Sequence, residues 1–240
     1  MEQKTLSPSQ LSEFYIDVFV SDQVRDFRDL LSIPDSVIKG TIVDIGGGVG
    51  YFASAVRSDL FNTVRVIEMD PVSVEHCKSK GLEAEVGDAT NCNPKGDESV
   101  VCFNLILHHL VANSDHETRA LQAKAIRSWK GSSRKLFVNE YIYESYIQGL
   151  SGWLIYKITG NRMLSAIGRL VSKIIPSLRA NTFGVGVRFR SHNEWQRLFI
   201  EEGFRVIRVI KGANEQVALP RRLLLIKNIR RDSFLLEASN

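Results

Sequence analysis

Thr41-Ile42-Val43-Asp44-Ile45-Gly46-Gly47-Gly48-Val49-Gly50 is the stretch that decides the fold. Its first five residues are a short β-branched run, the pattern of a buried strand. Glycines then stand at positions 46, 48 and 50. A chain that turns sharply from a strand into a helix needs backbone freedom there. It also needs bare backbone if a ligand is to come close, because a Cβ would block the approach. Tyr51 to Leu60 resumes a helical pattern, so free N–H groups of a helix start would face the same space. A Gly-rich turn of this kind serves several cofactor classes. Tyr51 stands where the dinucleotide fingerprint wants a glycine, which counts against a nicotinamide or flavin site.

Strand and helix signals alternate outward from this turn. Val64 to Ile67 reads as a second strand ending at Glu68. Pro71 opens a helix that Gly81 stops. Glu83 to Val86 is a weaker third strand before Gly87-Asp88-Ala89. Val100 to Leu107 is almost unbroken apolar sequence, as a central parallel strand buried on both faces requires. Ser114 and Glu117 form a capping box for a helix through Arg127. Lys135 to Val138 is a fifth strand ending at Asn139-Glu140. A second capping box, Ser191 with Glu194, starts a helix that ends at Gly203. Phe204 to Lys211 and Leu223 to Lys227 read as the last two strands. The expected fold is therefore α/β: a doubly wound, mostly parallel seven-stranded sheet with helices on both faces, its last strand antiparallel, and a helical lid inserted after the fifth strand. We read one domain over 1–240, with N-terminal helices over 1–39, a cofactor-binding core over 40–145, a basic segment over 146–190, and the last helix and strand pair over 191–228.

The strand ends carry the chemistry. Glu68 lies twenty residues beyond Gly48 and can accept hydrogen bonds from both hydroxyls of a ribose. Asp88 can reach an adenine amino group, and Asn104 sits in the fourth strand's segment. On Val43 to Gly50, Val66-Ile67-Glu68-Met69-Asp70, Gly87-Asp88-Ala89 and Asn104-Leu105-Ile106-Leu107-His108-His109-Leu110, the chain resembles the class I S-adenosylmethionine-dependent methyltransferases. The resemblance is strong over 40–140 and moderate over 190–228. It implies S-adenosyl-L-methionine as cofactor. Asp44, Gly46 and Gly48 would hold its methionine part, Glu68 the ribose, and Asp88 with Ala89 the adenine. Met69 would pack on the adenine ring, with Asn104 beside the cofactor.

Methyl transfer from a sulfonium is a direct displacement, so the protein mainly aligns an acceptor. A base helps when the acceptor is a hydroxyl, an acidic carbon or a protonated amine. His108 is the first choice for that base and His109 the second. Glu140, Tyr141 and Tyr143 are expected to line the acceptor pocket. His192 reads as structural. No metal site is expected, because no carboxylate or cysteine spacing suits one.

Hydrophobic residues make up 44% of the chain and charged residues 24%, an ordinary globular balance that leaves a sizeable core. Three cysteines without ligand spacing and a polar N-terminus point to a cytoplasmic setting. The net charge of +4 is unevenly placed: residues 151–240 hold 16 cations and 6 acids. Between Ser151 and Arg190 there are seven Lys or Arg and no acid. Met163, Leu164, Ile167, Leu170, Val171, Ile174 and Ile175 mark one helical face there. That face could close over an apolar substrate, lie as a peripheral contact on an anionic membrane surface, or accompany cations that track RNA phosphates. The first reading is preferred, so the acceptor is expected to be a small apolar or amphipathic molecule methylated at oxygen or carbon. The alternatives are an RNA methyltransferase, with sparse aromatics against it, and a non-catalytic cofactor-binding partner subunit of the same fold.

Overall fold

The computed structural model describes residues 19–32, 38–59, 61–131, 135–178 and 182–239. Seven strands run in chain order: β1 (Ile38–Ile45), β2 (Phe61–Glu68), β3 (Glu83–Val86), β4 (Glu98–Asn104), β5 (Lys135–Ser145), β6 (Phe204–Lys211) and β7 (Ile226–Ala238). They form a single sheet in the order β3-β2-β1-β4-β5-β7-β6. β1 to β5 are parallel neighbours, and β7 runs antiparallel to both β5 and β6. The expected sheet and its reversed last strand are both present. The strand order reverses between β1 and β4, which opens a crevice at their carboxyl ends.

The helices are α1 (Val20–Leu31), α2 (Tyr51–Asp59), α3 (Pro71–Ser79), α4 (Asp115–Arg127), α5 (Leu150–Gly160), α6 (Arg162–Ile174), α7 (His192–Glu201) and the single turn α8 (Leu219–Arg222). Both capping boxes form: Ser114 with Glu117, and Ser191 with Glu194. Alternate side chains of the central strands feed two cores. Val43, Val101, Phe103, Leu136 and Val138 pack with Trp129, Trp195 and Phe199 under α4 and α7. Ile42, Val100, Cys102 and Phe137 pack with Phe27, Phe52 and Val74 under α1, α2 and α3. Burial on both faces explains the unbroken apolar run of β4. Phe27 anchors α1 edge-on to Phe52 and Phe137 at 5.5 and 5.2 Å. The earlier apolar positions of the expected N-terminal helices, Leu11 to Val18, lie outside the described residues.

Three expectations need correction. β4 ends at Asn104, not Leu107: Leu105 adopts φ 55°, and Leu107–His109 form a 3-10 turn. β5 continues well past Val138. The expected last strand over Leu223 to Lys227 is largely not strand. Pro220 opens the α8 turn, Leu225 sits at φ 59°, and β7 then runs to Ala238, ten residues beyond the boundary at 228. In β5 the polar pair Asn139-Glu140 reads as a strand end, and β7 carries a facing polar pair, Asp232-Ser233; all four are buried. They are tolerated because they are paired. Asn139 donates to Ser233 Oγ (2.8 Å), and Ser233 donates to Asp26 on α1 (2.8 Å).

Candidate active site

The carboxyl ends of β1 and β2 are tied together by the loop between β1 and α2. Gly46, Gly48 and Gly50 all take positive φ (65°, 54° and 78°), which L side chains rarely adopt. Added Cβ atoms at Gly46 and Gly47 would stand 2.6 Å from Ile106 and 2.5 Å from the Asp44 carboxylate. At Gly48 a Cβ would meet nothing within 4 Å, so bare backbone faces open space there. The Gly48 N–H donates to Glu68 Oε2 at 2.9 Å. The other oxygen of Glu68 accepts from the Met69 and Asp70 amides at 2.7 and 3.1 Å. Glu68 thus locks the loop to the end of β2. Behind the loop, Lys80 donates to the Val49 carbonyl at 2.8 Å, and the Cys77 thiol lies 3.3 Å from the Gly48 carbonyl.

Asp44 and Asn104, at the ends of β1 and β4, meet directly. Asn104 Nδ2 donates to Asp44 Oδ1 at 3.1 Å. Asp44 Oδ2 and Asn104 Oδ1 are buried without a hydrogen-bond partner. Buried acceptors normally have donors, so this pair fits a ligand that brings N–H or ammonium groups. Burial, with Glu68 nearby, pushes the Asp44 pKa up to about 7, against the relief from Asn104. Asp88 closes a turn after β3 by accepting from the Thr90 amide (2.7 Å), with Ala89 buried beside it. The Gly87 amide donates to the Glu68 carbonyl (3.0 Å), which sets that turn against β2. Met69 is half-buried on the same rim.

The second half of the site is built after β4 and on β5. His108 Nδ1 lies 2.6 Å from Glu140 Oε2, with both side chains buried. Glu140 Oε1 accepts from the Leu107 amide at 2.6 Å, and Oε2 also accepts from the Tyr141 amide at 3.2 Å. Glu140 was expected to line an acceptor pocket; it is instead fully buried behind the imidazole. Held this way, the carboxylate favours a proton on Nδ1 and leaves Nε2 with its lone pair. His109 stacks on His108 with ring centroids 4.2 Å apart. Burial, and then His108, hold its pKa well below the ordinary value, so its imidazole is neutral.

An aromatic wall surrounds this pair. Phe189 stacks on His108 at 4.9 Å and on Tyr143 at 4.1 Å. Tyr141 meets His108 edge-on at 5.9 Å and Phe189 at 6.0 Å. Phe189 was missed in the sequence because it stands between two arginines of a segment read as basic. Both arginines prove structural. Arg188 is buried against Asp115 (2.7 Å) and Glu194 (3.2 Å), and its amide donates to the His108 carbonyl (2.9 Å). Arg190 is buried and donates to Gln122 (2.7 Å); Gln122 in turn holds the Leu107 carbonyl (3.0 Å). Burial lowers the Arg190 pKa to about 10. No group of His, Cys, Asp and Glu able to hold a metal occurs among the described residues.

Known proteins share this fold. A mitomycin 7-O-methyltransferase superposes over 92% of this chain and 54% of its own, with a TM-score of 0.55 and 19% identity. The magnesium protoporphyrin IX methyltransferase of Synechocystis PCC 6803, solved with bound SAH, superposes over 92% of this chain and 81% of its own, with a TM-score of 0.53 and 14% identity. This is a methyltransferase fold. In sequence, the isoflavone 7-O-methyltransferase of Glycyrrhiza echinata is 28% identical over 167 residues. That match takes in 69% of this chain but 40% of the relative, so the chain spans less than half the length of the relative it matches. No family model matches. Within the methyltransferase fold, the loop at Gly46–Gly50 and the Asp44–Asn104 pair lie at the carboxyl ends of β1 and β4, with His108 in the turn after β4 and Glu140 on β5 one residue past its last pairing with β4.

Proposed function

We propose that this chain is an S-adenosylmethionine-dependent methyltransferase that acts on a hydroxyl of a small, apolar or amphipathic acceptor. Two unpartnered buried acceptors, Asp44 Oδ2 and Asn104 Oδ1, and the open space over Gly48 fit the amino-acid part of that cofactor. Glu68 has hydrogen-bonding capacity beyond its three backbone donors and would accept from the ribose. Asp88, Ala89 and Met69 would flank the adenine. The bound cofactor supplies an electrophilic methyl on a positively charged sulfur.

The single observation that carries the acceptor chemistry is the 2.6 Å contact between His108 and Glu140. A fixed, buried carboxylate on Nδ1 sets the tautomer, orients the ring and stabilises the imidazolium once Nε2 takes a proton. Nε2 is then the general base for an acceptor hydroxyl. Phe189, Tyr141 and Tyr143 give the acceptor flat apolar surfaces, which suits a ring-bearing molecule. Support from relatives points the same way, since the isoflavone and mitomycin enzymes are both named as O-methyltransferases.

Calorimetry with S-adenosylmethionine and with NAD tests the cofactor reading. Binding of the first and not the second is expected; the reverse sinks it. Transfer of labelled methyl from the cofactor into a panel of phenols, carboxylic acids and short RNAs tests the acceptor class. Label in the phenols is expected, and label confined to RNA or to acids overturns the hydroxyl assignment. Cofactor binding without transfer to any extract fraction supports a non-catalytic subunit instead.

A further inference from the structure

α6 is docked with the opposite polarity to an ordinary surface helix. Its inward face is made of small residues. Ser165 and Ser172 are buried, and Gly168 lies so close to Phe183 that a Cβ would stand 2.6 Å from its ring. Ser165 Oγ lies 2.8 and 2.9 Å from the Ile158 and Thr159 carbonyls, and it accepts from the Gly184 amide at 2.9 Å. These contacts fix the helix against α5 and the 182–187 segment. The large apolar residues are left outside. Met163 is 69% exposed, Ile167 53%, Leu170 62% and Ile174 79%. The spacing of four, three and four puts them in one row. Closing over a substrate was the preferred expectation for this face; in this conformation it points to solvent.

We propose that this face seats the protein on an anionic lipid surface. Arg162 and Lys173 are exposed in a second row beside the apolar one, while Arg169 between them donates inward to the Phe183 carbonyl (2.6 Å). With no acid between 151 and 190, nothing on the segment neutralises them. Their stems can lie along lipid while their charges reach headgroups. Exposed Trp153 on α5 has Lys157 over its ring at 5.6 Å, an aromatic–cation pair suited to the headgroup level. The surface continues at α8. Arg221 holds α8 to the turn after α6 by donating to the Ser177 carbonyl (2.7 Å), and beside it Leu219 is 77% exposed, Leu223 82%, and Arg222 exposed. Charge decides between occupants. A second copy docked here would bring like charges together, and an RNA would leave the apolar row in water. No helix among the described residues is long and apolar enough to cross a membrane, so the contact lies in the plane of the surface.

Flotation of the full chain with phosphatidylcholine vesicles and with mixed phosphatidylcholine–phosphatidylglycerol vesicles tests this without reference to turnover. Binding to the mixed vesicles alone, weakened by salt, is expected. Ile167→Asp with Leu170→Asp should cut the affinity roughly tenfold or more, because two apolar anchors are lost. Arg162→Glu with Lys173→Glu should cut it by roughly fivefold or more per position. Both pairs are on the surface, so unchanged circular dichroism melts are expected. Three results overturn the proposal: no flotation with either vesicle, flotation that survives the apolar pair of changes, or a sedimenting dimer that the apolar pair abolishes in a protein that does not float. A gel shift with RNA that the charge variant loses and the apolar variant keeps, in a protein that does not float, also overturns it.

Discussion

Two histidine–carboxylate pairs in this protein are almost superimposable as distances and opposite in what they can do. His108 lies 2.6 Å from Glu140, and His192 lies 2.7 Å from Asp232. All four side chains are buried. The difference lies in the neighbours. Asp232 also takes the Arg230 guanidinium (2.8 Å) and the Gly212 amide (3.2 Å). Arg230 reaches on to Glu144 (3.2 Å). The His192 ring itself packs on Phe234 of the core. This is a closed network, with a cation already compensating the carboxylate, that pins α7 to β7. Among the described residues, Glu140 is hydrogen-bonded by backbone N–H groups and His108 and by no Arg or Lys. Its imidazole is the one next to the strand-end crevice and the aromatic wall. A short His–carboxylate contact is thus no sign of catalysis on its own. Position at the carboxyl end of the parallel strands, and a carboxylate not yet neutralised, make the distinction.

The comparison breaks most sharply if the wrong histidine matters for turnover. Replacing His108 with Ala should lower kcat by roughly 10²–10⁴-fold, the usual worth of a positioned base, while calorimetry shows cofactor affinity nearly unchanged. Undiminished kcat would remove His108 from the chemistry. Replacing Glu140 with Gln should cost on the order of 10²-fold, because an amide can offer Nδ1 a donor and so select the wrong tautomer. A Gln variant with normal kcat but a lowered melting point would reduce the pair to a structural one, like its counterpart. His192→Ala should behave in the opposite way. It leaves Asp232 short of a partner in a buried network, and should cost about 1–3 kcal/mol of stability in denaturant titration. The kcat per folded molecule should stay as it was.

The same contrast shows what was legible in sequence. The strand-end half of the candidate site could be read because each part ends or follows a strand: Asp44 and the glycines at the end of β1, Glu68 at the end of β2, Asp88 after β3. The sheet was legible for the same reason, since apolar runs mark strands buried on both faces. What could not be read were buried polar groups, because their partners are distant in the chain. Glu140 finds His108 at 32 residues' separation, Arg190 finds Gln122 at 68, and Ser233 finds Asp26 at 207. Without those partners, Glu140 reads as pocket lining, and Arg188 and Arg190 as surface charge. Phe189 was invisible for a related reason: only the buried arginines on either side fix its ring against His108. The outward row on α6 was legible as a periodicity, but a helical period marks a face without saying what covers it.

Asp44 provides the finest test of the comparison, because it is a fully buried carboxylate whose side-chain partner is neither a histidine nor an arginine but Asn104. Its pKa is raised to about 7 by burial, so the folded chain binds a proton there that the unfolded chain, with an ordinary carboxylate, gives up near pH 4. The sign follows from linkage. Between those two values the folded state holds more protons at Asp44, so Asp44 contributes stability to the cofactor-free protein that grows as pH falls from 8 to 5, against the opposite contribution of His109, whose folded pKa is lowered. Binding should move the other way. If Asp44 must be ionised to accept from the cofactor, affinity should weaken roughly tenfold between pH 8 and pH 6, the limit for one proton with this pKa. Asp44→Asn should flatten the binding profile and remove the acid-side gain in stability, leaving the slope that His109 contributes. Calorimetry and thermal melts across that range measure the two slopes independently. A wild-type affinity that is level with pH, beside a melting curve that still responds, would show a buried acid that shapes the Gly47 turn without touching ligand. In that case Asp44 would belong with Asp232, on the structural side of the contrast.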